Sequence, residues 1–348
     1  MNERSDRESP TELTCALRGI DFGPRRDRDI LSGMETTDGK QNPVPCRSVT
    51  ALRRGDTVGI AAPASPVPRD EFFMALDQLR RMGLRPLYRD DILDHHARPD
   101  AARAAELVGL FADPKVKAIF CAYPGYGSLR LLSLLPWAEI ARHPKIFMGY
   151  SDLTALLVAL HVRCGFPTFH GPTLVRGFLP EAVSRKTTEA LRGTLFRGTA
   201  PRRFRLPAAQ VLNGGEGTGP LIGGNLEMLT SLIGTPWEPV TAGAVLFLEE
   251  VGEGEETLDQ RLTHLRFSGK FDGVQAVLFG DMSGNSLTPP YRVADIVHNA
   301  IGDLGLPILM GFPAGHGVHN QPLVIGARYS VSATTRTVVQ LDSGVSVP

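Results

Sequence analysis

Residues 145–165 read KIFMGYSDLTALLVALHVRCG, and the fold turns on where that stretch changes period. Ile146, Phe147 and Met148 make a short continuous apolar run, the pattern of a strand buried on both faces. From Asp152 onward the apolar residues continue well past strand length, which predicts a helix over 152–165 closed by Gly165. Gly149 opens the turn between the two, and Ser151 stands at its apex. A strand, a tight turn and a helix in that order are one repeat of a parallel sheet.

The same repeat recurs upstream. VKAIFCAY (116–123) reads as a buried strand, the Gly-rich turn at 125–127 follows, and SLRLLSLL (128–135) has a helical pattern. Val58 to Ala62 is an apolar run stopped by Pro63, and Leu84 to Tyr88 is a further short strand. Between them Phe72, Phe73, Leu76, Leu79 and Met82 fall at helical spacing, with Gly83 as cap. Asp100 is an N-cap for a helix over 101–112, stopped by Asp113-Pro114. Strands alternating with helices predict an α/β fold with a parallel sheet covered on both faces. Downstream, GPLIGGNLEMLTSLIGTPW (219–237) reads as a Gly turn leading into a helix. Strands follow at 244–249, 274–279, 307–312 and 322–332, with helices at 256–266 and 292–301. This half is richer in strands, and no internal repeat is visible.

The boundaries follow. Residues 1–48 are polar and without period, as a disordered or loosely packed tail would be. Residues 49–173 form an N-terminal α/β domain, 174–218 an interdomain connection with the basic stretch RGTAPRRFRLP, and 219–345 a C-terminal domain. Lys plus Arg equals Asp plus Glu at 37 each in 348 residues, which argues against a nucleic-acid binder. No apolar run approaches the ~20 residues that span a bilayer. No secretory h-region opens the chain, so the expectation is a cytoplasmic protein with no membrane partner. Cys15, Cys46, Cys121 and Cys164 lack CxxC spacing and read as free thiols.

Ser151 before a helix has two readings. It is an N-cap, or it is a nucleophile on a strained turn, with the helix N-terminus offering N–H groups to an oxyanion. The pattern G-x-S-x-G is incomplete, because Leu153 stands at its last place. A serine nucleophile needs a base and an orienting acid. His316 lies between Gly315 and Gly317 in GFPAGHGVHN, after the strand at 307–312; His319 and His170 are rivals. Glu249 and Glu250 end the strand AVLFLEE, and alternation lets only one of them face a cleft. Cys121 is a remaining nucleophile, though it sits inside a strand rather than at a turn. GGEGTGPLIGG (214–224) has neither G-x-G-x-x-G nor GK[ST], so no phosphate loop is read there, and no cofactor or metal is expected.

GDTVGIAAPAS, AIFCAYPGYGSLRLL, FMGYSDLTALL, FHGP, GPLIGGNLEMLTSLIGT, LFLEEVGE with LDQRLTHL, and GFPAGHG, in that order, resemble the LD-carboxypeptidase family of serine peptidases. That family includes the microcin C self-immunity proteins, and the likeness covers about residues 50–340. It implies a flavodoxin-like N-terminal lobe, a mixed β-rich C-terminal lobe, a site between them, and a homodimer without metal. It matches Ser151, Glu249 and His316 to nucleophile, acid and base, and the backbone of Asp152 and Gly125 to the oxyanion site. Tyr123, Tyr126, His170 and Asn225 are the substrate-binding candidates.

Two departures stand out. The family's Arg-Gly-Gly-Tyr-Gly is here Tyr123-Pro124-Gly125-Tyr126-Gly127, and Pro124 has no N–H to give. Gln260 stands where an Arg often follows the aspartate matched by Asp259. The implied substrate is a small peptide, a murein tetrapeptide losing its terminal D-Ala in peptidoglycan recycling. The alternatives are a microcin-type amide, with Trp237 or Tyr126 to stack a base, and a non-catalytic ligand-binding homologue. A carboxypeptidase must also hold a free carboxylate. With Tyr123 in the family's Arg position, that group is not identified by the sequence.

Overall fold

The computed structural model describes residues 47–93, 98–179, 185–289 and 292–347, all within one compact unit. The tail expectation for 1–48 and the thiols of Cys15 and Cys46 therefore lie almost wholly outside the described residues.

After a two-residue strand β1 (Val49–Thr50), the parallel strands β2 (Thr57–Ala61), β3 (Arg85–Leu87), β4 (Val116–Cys121), β5 (Ile146–Gly149) and β6 (Thr168–His170) build the first sheet. Counted from β2, the spatial order is 2-1-3-4-5, the flavodoxin-like arrangement. Helices α1 (Arg69–Arg81), α2 (Asp100–Ala112) and α3 (Thr154–Cys164) are its crossovers. Met148, Phe147 and Ile146 are fully buried, and so are Ala155 to Leu157 on α3. The run 128–135 forms a 3-10 helix at Leu129–Leu134 instead of an α-helix.

The segment read as a connection also forms strands. Helix α4 (Arg185–Leu195) precedes β7 (Arg202–Arg205) and β8 (Gln210–Asn213), both in the second sheet. Next comes β9 (Glu216–Asn225), which occupies the stretch expected to be a Gly turn. The reason is close backbone approach. A Cβ on Gly223 would fall 1.8 Å from the Phe247 carbonyl, and one on Gly224 would fall 2.6 Å from the Thr154 side chain. Glycine is the residue such contacts demand, so the Gly-rich pattern marks a packed strand. The short helix α5 (Leu226–Ser231), capped by Asn225, follows.

Strands β10 (Val245–Glu249), β11 (Ala276–Phe279) and β12 (Ile308–Met310) run parallel to β9, joined by α6 (Glu255–Phe267) and α7 (Val293–Ile301). The expected strand 322–332 is divided at Gly326 into two. β13 (Leu323–Ile325) pairs antiparallel with β6 in the first sheet. β14 (Arg328–Ser332) pairs with β9 and with β15 (Thr337–Gln340) in the second. The second sheet is thus mixed and eight-stranded, while the first has six strands. Finally β16 (Val345–Ser346) pairs with β1. Among the described residues no helix is long and apolar enough to cross a membrane.

Candidate active site

The carboxyl ends of β5 and β10 and the loop after β12 converge. Ser151 follows β5 with φ 62°, a left-handed conformation that a residue with a Cβ adopts only under constraint. Gly149 makes the turn possible, because Leu153 folds back against it: a Cβ on Gly149 would lie 2.6 Å from Leu153 Cδ1. Leu153 therefore does the packing at the position where a shorter pattern has glycine. Ser151 to Leu153 form a 3-10 turn that leads into α3, so the N–H of Asp152 lies in the first turn of a helix.

His316 Nε2 lies 2.9 Å from Ser151 Oγ, and its Nδ1 lies 2.7 Å from Glu249 Oε2. Glu249 is fully buried and can only accept, so Nδ1 carries the proton and Nε2 is free to accept from the hydroxyl. Burial pushes the Glu249 carboxyl up, but contacts with His170 and His316 outweigh it and hold the group at about 2. Burial likewise pulls the His316 imidazole down, yet the Glu249 hydrogen bond and charge leave it raised above 6.5. Gly315, at φ 120°, lets the loop press on the acid, since a Cβ there would sit 2.8 Å from Glu249 Oε2. This arrangement can take a proton from a serine hydroxyl and stabilise the resulting imidazolium.

Glu250 faces the other way, as strand alternation requires. It accepts from Asn225 Nδ2 at 2.9 Å and pairs with Arg261 at 2.8 Å. Asp152 ties the elbow to the Gly-rich loop, its carboxylate accepting from the N–H groups of Gly127 at 3.1 Å and Ser128 at 2.9 Å. Gly125 lies two residues before that anchor, and Ser65 Oγ accepts from the next N–H, that of Tyr126, at 3.1 Å.

Two substrate-binding expectations need correction. His170 is fully buried, with Nε2 4.0 Å from Glu249 Oε1 and its ring against Phe247, so it has no surface to offer a ligand. Asn225 is 4% exposed with both ends of its amide engaged, the oxygen accepting from the Met228 N–H. Tyr126 is 75% exposed, and Tyr123 is partly buried with its hydroxyl accepting from Arg176. The rival nucleophile Cys121 is fully buried, and burial with nearby Glu106 and Asp152 pushes its thiol well up. The rival base His319 is exposed and lines a cavity of about 460 Å³ with Asp281 and Gly317. Sequence reasoning missed Tyr150, whose ring lies 4.9 Å from that of His316, and Arg176; neither carries a motif. Among the described residues no group of three or more His, Cys, Asp or Glu could hold a metal.

The family models of the LD-carboxypeptidase N-terminal and C-terminal domains match residues 58–171 and 218–331. The chain belongs to the LD-carboxypeptidase family. It is 35% identical over 305 residues to a Bacillus subtilis protein named "Probable murein peptide carboxypeptidase", covering 85% of this chain and 94% of that one. It is 25% identical to the microcin C7 self-immunity protein MccF of Escherichia coli, covering 82% and 93%. The solved muramoyltetrapeptide carboxypeptidase of Oxalobacter formigenes superposes with a TM-score of 0.73 at 26% identity, covering 81% of this chain and 97% of that one. Membership makes the chain a peptidase of carboxypeptidase type, and the flavodoxin-like order with its curled mixed second sheet is the family's fold.

Proposed function

We propose that the protein is a serine carboxypeptidase that cleaves the L,D-junction amide of a murein tetrapeptide and releases its terminal D-Ala. The observation that carries this reading is the unbroken chain Ser151 Oγ, His316, Glu249, at 2.9 and 2.7 Å. His316 takes the Ser151 proton as the oxygen attacks the carbonyl. Glu249 holds the tautomer and stabilises the charged imidazole. The oxyanion is received by the N–H groups of Asp152 and Gly125. His316 then protonates the leaving amine, and water hydrolyses the acyl-enzyme. In this reading residues 49–173 supply the nucleophile, 174–218 connect, and 219–345 supply acid and base. The enzyme acts in the cytoplasm as a homodimer, which light scattering checks.

A second reading keeps the triad and replaces the substrate by an aminoacyl-sulfamoyl-adenylate amide. The 75% exposed Tyr126, next to the loop that Asp152 anchors, favours it as a base-stacking surface. Trp237 is less suited, being partly buried 6.4 Å from Trp137. Incubating the enzyme and its Ser151→Ala variant with a muropeptide mixture and with an aminoacyl-sulfamoyl adenosine, each followed by mass spectrometry, separates the readings. Loss of D-Ala from tetrapeptides by wild type alone supports the first. Cleavage of neither substrate defeats both and leaves a ligand-binding homologue.

A further inference from the structure

A carboxypeptidase must fix a free carboxylate about one residue repeat, ~3.8 Å, beyond the scissile amide. In this chain the loop after β4 has Tyr123 where the family's pattern has arginine. The short helix Leu174–Phe178 lies across the same end of the sheet. A backbone hydrogen bond from its Val175 N–H to Ala122 at 3.1 Å fixes it there, and Gly171, three residues before it, donates to Gly149 at 2.9 Å. Gly149 precedes the elbow and Ala122 precedes Tyr123, so Arg176 is held at both.

We propose that Arg176 receives the substrate's terminal carboxylate, and that Tyr123 is the residue that positions it. The inference rests on the peptidase reading of the same site. The Arg176 Nη2 donates to the Tyr123 hydroxyl at 3.1 Å, and its guanidinium lies 5.5 Å from the centre of the Tyr123 ring. That leaves most of a planar five-donor fork directed elsewhere. Among the described residues no carboxylate lies within ion-pair reach of Arg176, and Glu71 acts on it only through its more distant charge. Arg176 is exposed, so an incoming anion does not have to displace a buried partner.

The link to the reacting centre is Tyr150, which immediately precedes Ser151 and whose ring lies 4.9 Å from the His316 ring, tilted by 56°. Burial pushes the Tyr150 hydroxyl up to about 12, and the largest opposing influence on it is the Arg176 charge. Two other arginines near the elbow and the acid are already paired. Arg103 donates to the carbonyls of Pro63 and Gly127 and pairs with Asp100. Arg261 pairs with Glu250, Glu253 and Glu227. The arginine of the family's loop pattern is thus replaced by an arginine from the short helix after β6, oriented by the tyrosine that stands in the first one's place.

The test is calorimetric titration of the Ser151→Ala protein with a tetrapeptide ending in D-alanine, as free acid and as C-terminal amide. Removing turnover keeps the measurement independent of whether the peptide is cleaved. The acid should bind ~10–100-fold tighter than the amide, the range of a charge-assisted pair. Adding Arg176→Gln should abolish that preference while amide affinity stays within about twofold. Arg176→Lys should restore part of it, and Tyr123→Phe should reduce it without changing the thermal midpoint. Equal or undetectable binding of the acid, or a preference that survives Arg176→Gln, overturns the inference. Acid preference that depends on Arg176 in a protein that hydrolyses nothing would instead fault the peptidase reading alone.

Discussion

Ser151 holds a left-handed φ of 62° that ordinarily costs ~1–3 kcal/mol, and it does so between Gly149 and a helix start. With Ser151 as the proposed nucleophile, strain there predicts opposite effects on stability and function. Ser151→Gly should raise the thermal midpoint by about 2 °C relative to Ser151→Ala, because only glycine relieves the Cβ contact. Both variants should lose fluorophosphonate labelling and about 10⁴-fold or more in kcat, measured on a muropeptide. Equal midpoints for the two variants would mean the turn is not strained. The coupled pair behind the serine sets the pH dependence. As the proposed base His316 must be neutral, and it is raised above 6.5, so kcat/KM should fall as pH drops through a value above 6.5. Glu249→Gln should move that limb to lower pH and cut kcat ~10²–10⁴-fold, read from the pH–rate profile. Glu249 is lowered from 4.5 to about 2, so its share of stability is complete above 4.5 and is lost as pH falls toward 2.

At the scale of elements, patterns with a local cause were readable and patterns with a distant cause were not. The strand–turn–helix at 145–165 follows from its own apolar period, and the structure has it as β5, a 3-10 turn and α3. The glycines that open 219–237 read as a turn because nothing local reveals the carbonyl of Phe247 against Gly223 or the side chain of Thr154 against Gly224. Likewise Asn225 looked like a ligand-facing polar residue, whereas Glu250, 25 residues later, engages its amide. A physical consequence follows for β9. Gly224→Ala should press a methyl onto Thr154 at the first turn of α3 and destabilise the fold by ~1–3 kcal/mol, measured by urea denaturation. Because α3 begins at the elbow, activity per folded molecule should fall with it, and a fully active Gly224→Ala enzyme would argue that the elbow tolerates movement of its helix. Asp152→Ala should cost ~2–4 kcal/mol by leaving the N–H groups of Gly127 and Ser128 unpaired.

At the scale of the whole molecule, the resemblance carried by the order of motifs implied two lobes, and the return of residues 323–325 into the first sheet was the part no local pattern could announce. Val324 and Ile325 are apolar and fully buried, as a strand in either sheet would be. Only the turn at Gly326 decides that β13 joins β6 while β14 joins β9. Two further ties hold the halves together: β1 pairs with β16, and the Asn225 N–H donates to Thr154 Oγ1. In the proposed triad the serine follows a strand of one sheet while acid and base come from the other, so it forms only while both sheets are docked. Trp137 sits after β4 and Trp237 after α5, 6.4 Å apart, and they report on that docking. Thermal unfolding followed by tryptophan fluorescence, by far-ultraviolet dichroism and by fluorophosphonate reactivity should therefore give one coincident midpoint. Reactivity lost well below the dichroism midpoint would show lobes that separate before they melt, and would place the closing of the site among the conformational steps of the reaction rather than in the fold itself.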